Sequence, residues 1–273
     1  MIHFSLNWWD YIAIFSIIFI GIPHGALDGA ISITLGYTKK LRLQLYFILT
    51  YILVSCLVIT LWYFLPVITL ILFLLTSIFH FGCGDLNWNK SKFYLIGGYV
   101  HGGLIVLGII FLNKIEVNRF FEILSGDQLS LLWTSLYIGL FFWIIALTYI
   151  FFNYRKINIS NHYLKLTLFI LLTVLILPPL PAFAIYFCLI HSFHHIRRII
   201  PTLLDFMEKQ KAIFLMIIFS ILSWVACGIA FYYLSKLNTY PDTIIKVTFI
   251  GLAALTFPHM ILVDGIFRSK FKI

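Results

Sequence analysis

Nine histidines occur in this 273-residue chain, and seven of them lie within or at the ends of long apolar runs. The seven are His24, His80, His101, His191, His194, His195 and His259. Ionisable side chains in such segments are costly, and they mark functional sites by default. Neutral imidazole is a good ligand for iron, copper, zinc and nickel. The pattern predicts a histidine-based metal centre, although a hydrogen bond to a neighbouring helix is the alternative for any single ring.

The spacing of two of these histidines suits a shared ligand. His191 and His195 are four positions apart, which places both rings on one face of a helix. His194, three positions after His191, competes for the same role. His24 and His80 would complete a four-histidine site from two further helices. If the ion is Fe(II), open coordination positions would allow O2 to bind as a co-substrate.

Carboxylates follow three of the histidines at intervals of four or five residues. The pairs are His24 with Asp28, His80 with Asp85, and His259 with Asp264. Because a metal-bound imidazole usually donates its other N–H to a carboxylate or a carbonyl, we predict that these aspartates orient the ligands. The alternative is that they cap or solvate helix ends. We place His101, His194 and His259 near the site, as outer hydrogen-bonding or substrate-facing groups.

The composition shows what kind of protein must position these side chains. The chain is 62% hydrophobic and 11% charged, whereas a soluble domain has roughly 25% charged residues. This excludes a soluble enzyme, a nucleic-acid-binding module and a disordered chain. The net charge of +9 does not imply a nucleic-acid partner, because the basic residues lie at the edges of apolar runs. Continuous apolar runs indicate an all-α, polytopic transmembrane helical bundle in a lipid bilayer.

Apolar segments and basic residues together predict the topology. We expect eight or nine spans in a single domain covering residues 1–273, since the sixth and seventh segments could form one broken helix. With nine spans and the N-terminus outside, 15 of the 19 Lys and Arg residues lie inside, as the positive-inside rule requires. The C-terminus is then cytoplasmic, in a multi-pass plasma-membrane protein. The predicted segments are 8–28, 43–64, 66–82, 93–112, 130–152, 164–179, 181–197, 212–235 and 244–267.

Four motifs contain most of these histidines and resemble one known family. They are GIPHGALD at residues 21–28, IFHFG at 78–82 with Asp85, YFCLIHS at 186–192 with His195, and GLAALT at 251–256 leading to PHMILVD at 258–264. The chain is identified as a member of the Brp/Blh family of membrane beta-carotene 15,15'-dioxygenases, with the resemblance extending from Gly21 to Arg268.

The resemblance implies an enzyme that splits beta-carotene with O2 at its central double bond, giving two molecules of all-trans-retinal. It implies a non-haem iron held by histidines at positions matching His24, His80, His191 and His195. It also implies a functional partner, a retinal-binding microbial rhodopsin. The family pattern does not require a histidine at His194, so the choice between His194 and His195 stays open.

Other classes of membrane protein also use buried histidines. His191 to His195 form an H-x-x-H-H box like that of a di-iron desaturase or hydroxylase, but such enzymes need several multi-histidine boxes. A histidine-lined metal transporter would distribute polar residues along the full membrane depth, and a bis-histidine haem protein would use paired histidines on facing helices. Metal content and an optical spectrum distinguish these alternatives from a single non-haem iron.

Overall fold

The structure, a computed structural model, describes residues 5–85, 93–157 and 161–271, without the side chains of His24, Arg155 and His162. Within these ranges the chain is helical and has no β-strand, which confirms the all-α prediction. Three segments are π-helical: π1 (Ile17–Gly21), π2 (Ile185–His191) and π3 (Ile261–Phe267). The α-helices are α1 (Trp8–Ser16), α2 (Ile22–Gly25), α3 (Asp28–Thr34), α4 (Leu41–Phe64), α5 (Pro66–Asp85), α6 (Tyr94–Leu112), α7 (Lys114–Ser125), α8 (Ser130–Phe152), α9 (Tyr154–Ile157), α10 (Asn161–Ile176), α11 (Pro179–Ala184), α12 (Ser192–Leu204), α13 (Lys209–Leu234), α14 (Tyr240–Met260) and α15 (Arg268–Phe271).

Six helices among the described residues are long and apolar enough to cross a membrane. They are α4, α5, α6, α8, α13 and the continuous helix Tyr240–Phe271. Two shorter apolar helices, Trp8–Gly21 and Tyr163–Ile176, coincide with two further predicted segments. The predicted segment 181–197 is divided among α11, π2 and α12. The membrane prediction therefore holds, whereas the count of eight to nine spans is not confirmed.

The chain forms two compact units. The first unit comprises Met1–Leu65 and Ser192–Ile273, and the second comprises Pro66–His191. Each unit has its own buried core and its own buried histidines. That residues 1–273 act as a single domain stays a prediction.

Glycines let two helices of the second unit approach each other closely. A methyl group at Gly82 of α5 would lie 1.8 Å from the Gly98 carbonyl oxygen of α6. A methyl group at Gly102 would lie equally close, 1.8 Å, to the carbonyl oxygen of Ile78. Small residues that allow backbones to touch are a common way to pack helices within membranes. The backbones of α5 and α6, which carry His80 and His101, are therefore in close contact.

The core of the first unit is formed by segments from the early and the late parts of the sequence. Buried side chains of α3 pack against side chains of α12 and π3, which lie more than 150 positions later. The indole N–H of Trp224 on α13 donates to the carbonyl of Ile18 in π1 at 2.9 Å. The principal core residues are Leu27, Ala30, Ile31, Phe47, Ile199, Leu203, Leu262, Val263 and Phe267.

The three π-helical segments lie next to motif histidines. π1 ends three residues before His24, π2 ends at His191, and π3 begins two residues after His259. Pro258, inside α14, removes a backbone donor immediately before His259. Such π segments are rare, and they occur often at functional sites because they change the direction of side chains along a helix.

Candidate metal centre

A buried carboxylate organises the histidines of the second unit. His191, at the end of π2, donates from Nδ1 to Asp85 Oδ1 at 3.1 Å. The hydroxyl of Tyr186 donates to the other carboxylate oxygen, Asp85 Oδ2, at 2.6 Å. His191 is 0% and Tyr186 is 1% exposed, so both bonds are shielded from solvent. Two donors from one helical turn therefore hold the last residue of α5.

A second imidazole lies beside His191. The ring of His80, the third residue of the IFHFG motif on α5, is centred 4.9 Å from the ring of His191. Phe187 stacks against His191 with an interplanar angle of 11°, and the ring of Phe81 is centred 4.8 Å away. These aromatic contacts restrict how the His191 imidazole can rotate. The second unit therefore brings two of the predicted ligands together.

His101 on α6 belongs to the same cluster. Its Nε2 lies 4.0 Å from Asp85 Oδ2, and its Nδ1 lies 3.2 Å from the hydroxyl of Tyr163. The side chain is buried. His101 therefore lies next to the carboxylate and not within the His80–His191 ring pair, and its predicted outer role stays a prediction.

The first unit repeats this chemistry with different residues. His259 donates from Nδ1 to Asp28 Oδ1 at 2.8 Å. The hydroxyl of Tyr51 donates to Asp28 Oδ2 at 2.9 Å. Asp28 and His259 are both buried. The aspartate of the GIPHGALD motif is thus bonded by the histidine of the PHMILVD motif.

His195 is the imidazole paired with His259. Their ring centroids are 4.9 Å apart, the same separation as in the His80–His191 pair. His195 is buried, whereas His194 is partly exposed and its ring lies 6.4 Å from that of the exposed Phe193. Of the two neighbouring candidates, the structure brings His195 to the cluster.

His24 and Asp264 are two further predicted site residues. The backbone of His24 lies in α2, but its side chain is outside the described part of the structure. Asp264 lies in π3 and forms an ion pair with Arg268 at 2.9 Å, with its side chain 28% exposed. The pairing with Arg268 is the i, i+4 arrangement of a helix surface.

The donor set in each unit fits a divalent transition metal such as iron. With Nδ1 bonded to a carboxylate, His191 and His259 can offer only Nε2 to a metal, and this is the usual arrangement of a metal-bound histidine. Each unit pairs such a ring with a second imidazole, His80 or His195. Among the described side chains no cluster of three or more His, Cys, Asp or Glu is arranged to hold an ion. The donor set therefore matches such a metal in the type of its donor atoms and in the orientation of the carboxylate-bonded imidazoles.

Sequence patterns missed the two tyrosines. Tyr51 lies inside an apolar helix, and the chain has 15 tyrosines, so its type alone gives no signal. Tyr186 is the first residue of the YFCLIHS motif, five positions before His191, but the motif alone assigns it no role. The useful signal is a tyrosine inside an apolar run, since a buried phenol needs a hydrogen-bond partner.

These observations define the class: an all-α membrane protein with buried tyrosine–aspartate–histidine clusters. The sequence profile of the family described as beta-carotene 15,15'-dioxygenase matches residues 15–267. The chain belongs to this family, which confirms the resemblance based on its motifs.

A curated relative is similar in sequence over nearly the whole chain. The protein named beta-carotene 15,15'-dioxygenase from uncultured marine bacterium 66A03 is 36% identical over 271 residues, covering 97% of each chain. No solved structure matches this chain significantly.

Proposed function

We propose that this protein cleaves beta-carotene at its central double bond with O2 at a non-haem Fe(II) centre, giving two molecules of all-trans-retinal. The main support is the 36% identity, over 97% of both chains, to a protein named for this reaction. The buried tyrosine–aspartate–histidine clusters add imidazole side chains of the type that iron binds.

The proposed iron ligands are His24, His80, His191 and His195. All four are neutral, so they leave the charge of the ion uncompensated, and four ligands leave up to two coordination positions open. Fe(II) bound there would supply the activation of O2, which none of the protein's own side chains can provide. Zinc would not substitute, because it has no redox chemistry.

The role of Asp85 and Tyr186 is to hold His191 for this task. The carboxylate keeps the proton on Nδ1 and thereby directs Nε2 towards a metal. The Tyr186 hydroxyl in turn stabilises the carboxylate, which would otherwise be costly to bury. In the first unit, Asp28 and Tyr51 fix the orientation of His259, the outer histidine beside the proposed ligand His195.

The nature of the substrate explains why no acid–base residue is needed. Beta-carotene is a hydrocarbon with no group that a general base or a metal could engage, so acid–base catalysis has no starting point. In the overall reaction the central C=C bond and the O–O bond break, and two C=O bonds form. One O2 supplies both oxygen atoms, and the reaction needs no external reductant.

We also propose a location and a partner. The protein lies in the plasma membrane with its N-terminus outside and its C-terminus in the cytoplasm, and its product supplies a retinal-binding rhodopsin. Reporter fusions at Lys40, Asn118 and Lys270 should report inside, outside and inside. Lys40 and Asn118 on the same side would contradict this topology.

Expression in a beta-carotene-accumulating bacterium tests the reaction. We expect loss of orange colour, retinal as the only aldehyde at two per carotene, and one iron per purified chain. Chelation should abolish the activity, and zinc should not restore it. His191→Ala should lose iron and activity, whereas His162→Ala, in a polar flank, should keep both. Two irons per chain with an uncleaved, desaturated or hydroxylated product would support the di-iron alternative instead.

A further inference from the structure

A cleft in the first unit lies against the Asp28–His259 pair. It encloses about 480 Å³ of space, its open mouth included. Side chains of α4, α13 and α14 line it, among them Tyr51, Phe219, Leu252 and His259. His259 also lies 4.9 Å, ring to ring, from His195. The cleft is therefore next to one of the proposed iron ligands.

Three polar side chains on its walls, those of Tyr51, Ser223 and His259, have hydrogen-bond partners within the protein. The hydroxyl of Tyr51 and Nδ1 of His259 both donate to Asp28. Ser223, on the α13 wall, donates from Oγ to the carbonyl of Phe219 at 2.9 Å. A ligand therefore does not have to satisfy these groups, and the remaining wall is supplied mainly by aliphatic and aromatic side chains. Such a lining favours a hydrocarbon over a polar ligand.

We infer that this cleft binds the polyene of the carotenoid next to the bond that is cleaved. This inference rests on the proposed function, which provides a rod-shaped hydrocarbon as the substrate. The mainly aliphatic and aromatic lining of the cleft suits a segment of such a rod. The wall formed by Ser223 and Leu252 then limits which carotenoid can lie beside His259. Both residues are therefore specificity determinants.

Filling the cleft tests the inference. Ser223→Phe places a ring on the cleft wall, and Leu222→Phe is the matched control because Leu222 precedes it on α13 and is 59% exposed. Gly25→Ala narrows the cleft more gently, since the added methyl would lie 3.8 Å from His259 Nδ1, an ordinary contact. Gly25→Ala keeps the test available if Ser223→Phe fails to fold.

Binding is measured on the full chain in detergent, without O2, from the shift of the beta-carotene absorption spectrum. Ser223→Phe should raise the Kd for beta-carotene at least about ten-fold, the effect of a small steric change in an apolar pocket. Its iron content should stay unchanged, and Leu222→Phe should match the wild type. In turnover, Gly25→Ala should raise KM more than it lowers kcat.

The outcomes separate this inference from the proposed function. If the wild type neither binds nor cleaves beta-carotene, the proposed function fails. If the wild type does both, and folded Ser223→Phe and Gly25→Ala match it, the cleft is not the polyene site. Loss of copurified phospholipid from Ser223→Phe, with unchanged affinity for beta-carotene, would instead identify a lipid site and overturn the inference.

Discussion

Asp28 Oδ1 accepts a hydrogen bond from His259 Nδ1 at 2.8 Å, although 231 positions separate the two residues in the chain. The other oxygen of Asp28 accepts from Tyr51, and Asp85 is bonded in the same way by His191 and Tyr186. Each buried carboxylate thus has one imidazole and one phenol as donors. Since a buried carboxylate without donors is strongly destabilising, these bonds fix the orientation of both imidazoles.

Replacing either carboxylate by its amide should weaken iron binding without unfolding the protein. Asp85→Asn and Asp28→Asn keep the side-chain volume but can no longer accept both donors as a charged group. We expect a loss of about 10–100-fold in iron affinity or rate, the usual cost of removing an outer partner of a ligand. Iron titration measures this, with the exposed Asp127→Asn as the control. Full iron affinity in Asp85→Asn would show that this carboxylate does not orient a ligand.

Removing the phenol hydroxyls should lower stability. Tyr186→Phe and Tyr51→Phe retain the aromatic ring but leave a carboxylate oxygen with one fewer donor, at a cost of about 1–3 kcal/mol in the free energy of unfolding. Thermal denaturation in detergent measures the change. Tyr63, 81% exposed, provides the control Tyr63→Phe, which should differ from the wild type by less than about 0.5 kcal/mol. Equal stability of all three variants would contradict this role.

The two neighbouring histidines should differ in importance. His195 is buried beside His259, whereas His194 is partly exposed beside Phe193. We therefore expect His195→Ala to lose most of its iron and His194→Ala to lose much less. Metal analysis of the purified variants decides this. The reverse order would move the proposed ligand from His195 to His194.

Close packing of α5 and α6 should make Gly102 intolerant of a side chain. The methyl group of Gly102→Ala would lie 1.8 Å from the Ile78 carbonyl oxygen, so the two helix backbones would have to separate. Overpacking of this kind costs about 1–3 kcal/mol or more in the free energy of unfolding. Gly228→Ala on α13 is the control, because nothing lies within 4 Å of its added methyl group. Equal thermal stability of the two variants would show that the helices are not in backbone contact.

Several features follow from local sequence alone. A composition of 62% hydrophobic and 11% charged residues in continuous runs determines membrane-spanning helices, since hydropathy depends only on neighbouring residues. The motifs around His24, His80, His191 and His259 determine the family for a similar reason, as each is a short contiguous string.

The backbone geometry within the apolar segments was decided by the tertiary structure. The predicted segment 181–197 contains the short helix α11 and the π-helical turn π2 before α12 begins. Hydropathy averages over such irregularities, because it does not register where backbone hydrogen bonds change their spacing. The segment therefore looks like one uniform helix in the sequence, whereas residues Ile185–His191 in its middle are π-helical in the structure.

The partners within the site were also decided by the tertiary structure. By sequence, Asp28 and Asp85 follow His24 and His80, and this short spacing suggested a local pairing. The structure instead gives Asp28 a bond from His259 and Asp85 a bond from His191, each more than 100 positions away. The contacts of Tyr51 and Tyr186, and the burial of His195 rather than His194 beside His259, depend on which helices pack together. Periodicity shows which face of a helix is polar, but only packing between distant helices determines which atoms that face meets.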